Sequence, residues 1–328
     1  MRIIFAGSGT FGLPSLQALV DGGQEVVLIV MQPDRPAGRG RTVHMGPIKR
    51  FARVRNIPFL QPENVNTPAP IRRLREARPD LLLVIAYGQK IGPELLALPR
   101  HGAVNLHGSL LPKYRGAGPI NWAIIEGETE TGLSVIQMTE QMDAGDILGQ
   151  RPTHIGPDET AGDLHDRLAD LGARLVTEVV RDIALDELHP RRQNETQVTL
   201  APRLKKSDGR VDWAEPAQQV HNHIRGVTPW PGTFSFLPTG RNKASLRVVI
   251  DRAAVSPASS AGKAAPGEVL AAGTDGIDVA CRRGAVRILE LTPAGKRRMA
   301  AADFVHGHAL EPGDRFLGKQ ETAGARGA

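Results

Sequence analysis

The chain predicts an α/β protein: a doubly wound, mostly parallel Rossmann-like sheet followed by a smaller C-terminal β-barrel of the OB-like kind. Three observations carry this. Through the first half, short apolar runs alternate with helix-like segments, the pattern of a sheet covered on both faces. Residues 160–188 then repeat Leu164, Leu168, Leu171, Leu175, Val179 and Ile183 at helical spacing. Beyond Arg210 the chain breaks into short strand-like runs punctuated by proline and glycine, which suits a small barrel.

In chain order, Arg2–Ala6 reads as a first buried strand and Pro14–Asp21 as a helix with proline in its first turn. Glu25–Met31 is a second strand, Ile71–Ala77 a helix, and Leu81–Ala86 and Ala103–Leu106 further strands. Pro119 opens a helix, and Gly132–Met138 alternates like a strand with Leu133 and Val135 on one side. In the second half, a helix near Pro216–Arg225 precedes strands at Thr233–Leu237, Ser245–Ile250, Gly267–Leu270, Gly276–Ala280 and Ala285–Leu291, with a small-residue loop at Ser256–Pro266. The expected domains are residues 1–189, a polar linker over 190–208, the barrel over 209–317 and a flexible tail over 318–328.

A length of 328 residues argues for two domains. With 41% apolar and 23% charged residues, both can hold real cores, which excludes a disordered chain. The net charge of +6 favours polyanionic partners only where the charge is concentrated. The single cysteine, Cys281, excludes an intrachain disulfide and a cysteine-based zinc site. The apolar start is too short for a secretory signal, and no apolar run approaches the ~20 residues of a membrane helix. A cytoplasmic protein with no membrane association is expected. No heptad stripe or long apolar edge points to an oligomer, so a monomer is expected.

The chemistry concentrates in two stretches. Asn105-Leu106-His107-Gly108-Ser109-Leu110-Leu111-Pro112 follows a strand, and Met142-Asp143-Ala144-Gly145-Asp146 ends another. Such positions, at the carboxyl ends of sheet strands, are where α/β proteins place their sites. An amide, an imidazole and a carboxylate from two adjacent turns can stabilise an oxyanion and move a proton without a metal or a covalent nucleophile. Asn105, His107 and Asp143 are the catalytic candidates, for attack of an amine on a polarised acyl carbon. A competing motif, Gly7-Ser8-Gly9-Thr10-Phe11-Gly12, lies between a strand and a helix, with Asp34 in the place of a ribose ligand. It keeps a dinucleotide-dependent oxidoreductase open, although any tight strand-to-helix turn needs glycines there. His221 and His223 stand at i and i+2 of a helix and so point apart; no metal site is expected.

Asn105 through Ala117, reading Asn-Leu-His-Gly-Ser-Leu-Leu-Pro-Lys-Tyr-Arg-Gly-Ala, resembles the motif of the folate-dependent formyltransferases. The resemblance extends to Gln32–Gly40, to Arg210–Trp213 with Pro229–Gly232, and to Pro293–Met299, and so spans nearly the whole chain. It departs at Met45-Gly46-Pro47-Ile48-Lys49, where the family often has Met-Pro-x-Pro-Val-Lys. The resemblance implies that Asn105, His107 and Asp143 form the family's catalytic set and that 10-formyltetrahydrofolate is the co-substrate. It places the folate beside Ala86, Tyr87, Gly88, Ser109, Leu110, Leu111, Pro112, Gln141 and Met142. Within the family it points to the branch acting on initiator methionyl-tRNA, with a C-terminal domain that binds tRNA. An aminosugar nucleotide is the alternative amine.

From Gln32 to Arg50 the chain carries five Lys/Arg (Arg35, Arg39, Arg41, Lys49, Arg50) against one Asp. That density, with the resemblance, marks Arg35, Arg39, Arg41 and Lys49 as tRNA contacts through phosphate. Lys205, Lys206, Lys296, Arg297 and Arg298 are secondary candidates.

Overall fold

The computed structural model describes residues 1–37, 42, 43, 45–239, 244–257 and 264–319. The chain divides into two compact units, Met1–Pro119 with Glu130–His154 and Leu164–Pro202, and Ile120–Thr129 with Ile155–Asp163 and Arg203 onward.

The first unit begins with β1 (Arg2–Gly7), α1 (Leu13–Asp21) and β2 (Glu25–Val30), then a two-residue pair, β3 (Pro36–Ala37) and β4 (Thr42–Val43). There follow α2 (Pro47–Val54), β5 (Phe59–Leu60), α3 (Pro68–Glu76), β6 (Leu81–Ile85), α4 (Pro93–Leu96) and β7 (Ala103–His107). After β8 (Arg115–Gly116), and past α5 (Pro119–Ile125), which belongs to the second unit, come β9 (Glu130–Gln137), β10 (Ile147–His154), α6 (Ala161–Leu185) and β11 (Leu200–Ala201). The sheet runs β10-β9-β7-β6-β1-β2-β5. Five of its strands are parallel, and β9 lies antiparallel to both β7 and β10.

Burial explains the composition of these strands. Ile4 and Ala6 face one core with Leu28, Val30, Leu82 and Val84, while Ile3 and Phe5, alternating with them, are fully buried as well. A strand covered on both faces needs apolar residues at every position. The reversal of strand order falls between β1 and β6, the place where open α/β sheets form a crevice at their carboxyl ends.

The second unit holds α7 (Ala217–Gly226), then the antiparallel strands β12 (Thr233–Thr239), β13 (Ala244–Ser256), β14 (Val269–Gly273), β15 (Gly276–Ala280) and β16 (Ala285–Pro293). β17 (Met299–Ala300) and α8 (Ala301–His308) end it. The sheet order is β12-β13-β16-β15-β14, with β17 on β16. Phe236 of β12 bridges Leu317, and Glu268 beside β14 bridges Arg315. Residues 315–317 thereby tie the sheet's two edges, the closure a barrel requires. Trp213, Phe304 and Phe316 fill its core.

The two histidines of α7 diverge as their spacing dictates. His221 Nε2 lies 3.5 Å from Asp158, and His223 Nε2 donates to the Asp208 carbonyl at 2.6 Å. Burial holds both imidazoles below the usual histidine range, for His221 against the pull of Asp158. A folded-state value below the unfolded one means that stability is present above pH ~6.5 and is lost as the pH falls. The unfolding temperature is expected to fall between pH 7 and pH 5.5, and His221→Asn with His223→Asn to flatten that slope. An unaltered slope in the double variant would assign the acid sensitivity to other groups.

Candidate active site

β7 delivers the first two groups. Asn105 and His107 are two residues apart on the strand, so their side chains share a face. Asn105 sits between Val84 of β6 and Ile136 of β9, half-buried, and no described residue hydrogen-bonds its amide. His107 is buried, 5% exposed. Its Nε2 lies 2.9 Å from the Tyr114 carbonyl oxygen. A carbonyl only accepts, so that nitrogen carries the proton. The other nitrogen, Nδ1, faces the Asp143 carboxylate at 3.6 Å, a little beyond hydrogen-bond reach.

Asp143 comes from the turn between β9 and β10. Its Oδ2 accepts the Gly116 backbone N–H at 2.8 Å, and its φ of +53° is left-handed, a conformation aspartate tolerates better than most residues. Gly145 is dictated by space: a Cβ there would overlap the Gln137 carbonyl at the end of β9. The turn folds back so closely that Gln137 N–H bonds the Asp146 carbonyl at 2.9 Å.

The loop after β7 is held by β9 and β10. Ser134 Oγ donates to the Ser109 carbonyl at 2.7 Å and accepts from Leu111 N at 3.0 Å. Gln150 Nε2 reaches the Leu111 carbonyl at 2.8 Å. The far side of the loop pairs with residues 199–201. Arg115 N–H bonds Thr199 O, Gly118 N–H bonds Ala201 O, and β8 pairs with β11. Most of the stretch read from sequence as a linker over 190–208 therefore packs within the first unit, because these backbone groups find partners there.

The residues expected beside the folate divide by what they still offer. Tyr87 places its ring in the core and is 2% exposed; burial pushes its phenol up to about 12. Only its backbone faces other groups, its carbonyl accepting from Gln32 Nε2 at 3.1 Å. Ala86 and Gly88, flanking it at φ +48° and +85°, form the turn at the end of β6. Ser109 is fully buried and spends its hydroxyl on the Lys113 carbonyl at 2.6 Å. Leu111 packs with Ile136 and Ile147, and Pro112 follows it through a cis peptide. Leu110 lies over Gly132, where a Cβ would meet it at 2.6 Å. Gln141 and Met142 are exposed, Met142 at 69%, and offer an apolar surface next to Asp143. A half-buried amide, an imidazole edge, backbone groups at two strand ends and an exposed thioether suit a flat ring system with polar edges.

The glycine motif has a packing reason. A Cβ at Gly7 would meet the Phe5 ring at 2.6 Å and the Ile85 carbonyl oxygen at 2.7 Å, and one at Gly12 would meet the same ring at 2.9 Å. Asp34, read as a ribose ligand, instead ion-pairs Lys49 and accepts from Gln61 at 3.0 Å; the lysine holds its carboxyl below the usual range. Lys49, read as a phosphate contact, is thus committed to Asp34 and lies 5.7 Å from the Phe59 ring centre. Arg35 is exposed, 3.9 Å from Glu63. Arg39 and Arg41 lie outside the described residues.

In the second unit, Lys205, Lys206, Lys296, Arg297 and Arg298 are exposed, and Arg298 pairs with Glu290. Lys206 lines a groove of about 480 Å³ with Ser207, Trp230, Pro231, Phe234 and Arg247. Trp230 is 52% exposed, and the Arg247 guanidinium stacks 4.2 Å from the Phe234 ring centre. Among the described residues there is no cluster of three or more His, Cys, Asp or Glu able to hold a metal ion, and no helix long and apolar enough to cross a membrane.

An imidazole set between a carbonyl and a carboxylate, with an amide on the same strand face that has no partner among the described residues, could serve acyl transfer to an amine, and the chain belongs to the formyl transferase family. The pattern described as Formyl transferase matches residues 1–180, and that described as Formyl transferase, C-terminal domain matches residues 203–309. The methionyl-tRNA formyltransferase of Citrifermentans bemidjiense is 45% identical over 98% of both chains. That of Myxococcus xanthus is 44% identical over 96% of this chain and 97% of its own. Among solved structures, the N-formyltransferase of Helicobacter canadensis, in complex with folinic acid and dTDP-3-aminofucose, superposes with a TM-score of 0.62 at 15% identity, covering 88% of this chain and 98% of its own. HypX from Aquifex aeolicus in complex with tetrahydrofolic acid gives 0.61 at 19% identity, over 93% of this chain and 47% of its own. At these identities the likeness is one of fold.

Proposed function

We propose that this chain transfers the formyl group of 10-formyltetrahydrofolate to the α-amine of initiator methionyl-tRNA, giving N-formylmethionyl-tRNA for translation initiation. The observation that carries the reading is the seat of His107, with Nε2 on the Tyr114 carbonyl and Nδ1 toward Asp143, in a chain so similar over its full length to the methionyl-tRNA formyltransferases.

The amine attacks the formyl carbon, the carbonyl oxygen takes up negative charge, and the bond to N10 of the folate then breaks as N10 gains a proton. The Asn105 amide, with no partner among the described residues, donates to that oxygen; a well-placed donor contributes ~3–4 kcal/mol to such a transition state. His107 keeps its Nδ1 edge at the reacting atoms because Tyr114 occupies the other nitrogen. Asp143 accepts the proton leaving the amine, directly or through water, and passes it toward N10. Backbone groups at 86–88 and at 141–143 read the polar edge of the pterin, and Met142 covers it.

The groove of the second unit supports the RNA part of the reading. An exposed indole beside an arginine-capped ring and a lysine is the combination that stacks bases and neutralises phosphates. The chain acts as a monomer, one copy supplying the groups this chemistry uses, and in the cytoplasm, where initiator tRNA is charged and used.

The test offers purified protein 10-formyltetrahydrofolate with charged initiator tRNA, charged elongator methionine tRNA or an aminosugar nucleotide. Formylation of the initiator tRNA, weakening steeply as salt rises, is expected. Turnover with the sugar nucleotide alone would refute the reading.

A further inference from the structure

The turn that carries Asp143 rests on a support the chemistry does not use. Gln193, in the segment after α6, donates through Nε2 to the carbonyl of Asp143 at 2.7 Å and to that of Gly145 at 2.8 Å. Its Oε1 accepts from Arg115, from Nε at 3.1 Å and Nη2 at 2.8 Å. Arg115 is 5% exposed and pairs in bidentate fashion with Glu195, at 3.1 and 2.7 Å.

A left-handed backbone at a residue other than glycine costs on the order of 1–3 kcal/mol and persists only where the surroundings enforce it. Here both carbonyls that Gln193 holds belong to the turn itself, at residues 143 and 145. Arg115 immediately precedes Gly116, whose N–H holds the Asp143 carboxylate. One hydrogen-bonded group thus fixes the aspartate at both ends, backbone and side chain.

We infer that Gln193, braced by Arg115 and Glu195, is a positioning residue that sets the Asp143 carboxylate against His107. This rests on the reading of Asp143 as a catalytic group. Without the two donors, two carbonyls lose their partner, the turn is released, and Oδ2 leaves its place near Nδ1. A displacement of about 1 Å at a reacting group can cost about a hundredfold in rate.

The experiment uses the full chain and measures kcat and KM separately, with unfolding temperatures alongside. Gln193→Leu removes donors and acceptor; Gln193→Glu keeps an acceptor for Arg115 but has nothing to donate to the two carbonyls. Both are expected to lower kcat about 10- to 100-fold, with KM for tRNA within about threefold and any rise in KM for folate smaller than the loss in kcat. In an Asp143→Asn background the further loss from Gln193→Leu should shrink below about twofold, because the group being positioned is already disabled. If Asp143→Asn is crippled while Gln193→Leu and Gln193→Glu turn over normally, the inference fails and the catalytic reading stands. Equal losses from Gln193→Leu in both backgrounds, or a change confined to KM or to unfolding temperature, also overturn it. Full turnover by Asp143→Asn removes the catalytic reading and this inference together.

Discussion

Asp143→Asn is expected to lower kcat by about three orders of magnitude, with the unfolding temperature within a few degrees of the unaltered protein. Asparagine suits this position structurally. It tolerates the left-handed backbone as aspartate does, and its carbonyl oxygen can still accept the Gly116 N–H that Oδ2 accepts at 2.8 Å. What it lacks is the charge facing His107 Nδ1 and the capacity to take a proton. His107→Ala is expected to lose a similar factor, and Asn105→Ala about 10²–10³, the usual effect of deleting one oxyanion donor. Single-turnover formylation with enzyme in excess separates these losses from product release. Turnover within about tenfold of normal in all three variants would remove the proposed site.

How far the sequence discloses this site depends on what kind of signal each part leaves. β1, β2 and β6 are apolar enough to be readable from composition alone, β7 is readable from Ala103, Val104 and Leu106, and Asn105 and His107 follow from their place at a strand end. β10 is not, because its residues after Ile147, Gln150, Arg151 and His154 among them, are half-buried or exposed on a sheet edge and show no apolar alternation. α8 is also missed: its N-cap, Ala300, has no capping side chain, and only Ala301 and Phe304 of the helix are buried.

The polar partners are hidden for a different reason. Tyr114 reaches His107 through a backbone oxygen, and Gly116 reaches Asp143 through a backbone N–H; neither contact depends on a side chain that a motif could show. Gln193 lies in a polar run that reads as solvated linker, and its role rests on pairing 48 and 50 residues away. Tyr87 and Ser109 show the converse. The family motif marks them, yet their side chains are used internally, one in the core and one on the Lys113 carbonyl.

Gly145→Ala is expected to be the most damaging single-methyl change in the site. The added Cβ would fall on the Gln137 carbonyl oxygen and lie 2.8 Å from the carbonyl carbon. Both are backbone atoms of β9, which is locked on each side by β7 and β10, so no side-chain rotation relieves the overlap. The turn must therefore move, breaking the Gln137 N–H bond to Asp146 and carrying Asp143 with it. A stability loss of about 2–4 kcal/mol is expected from overpacking of this kind, with kcat reduced at least about a hundredfold even at a temperature where the variant is folded. Gly307→Ala in α8 is the control: a Cβ there meets nothing within 4 Å, so the same methyl should raise helix stability by up to ~1 kcal/mol and leave turnover unchanged. If Gly145→Ala instead unfolds and turns over like the unaltered protein, the turn is not pinned against β9, and the placement of Asp143 by that close approach is wrong.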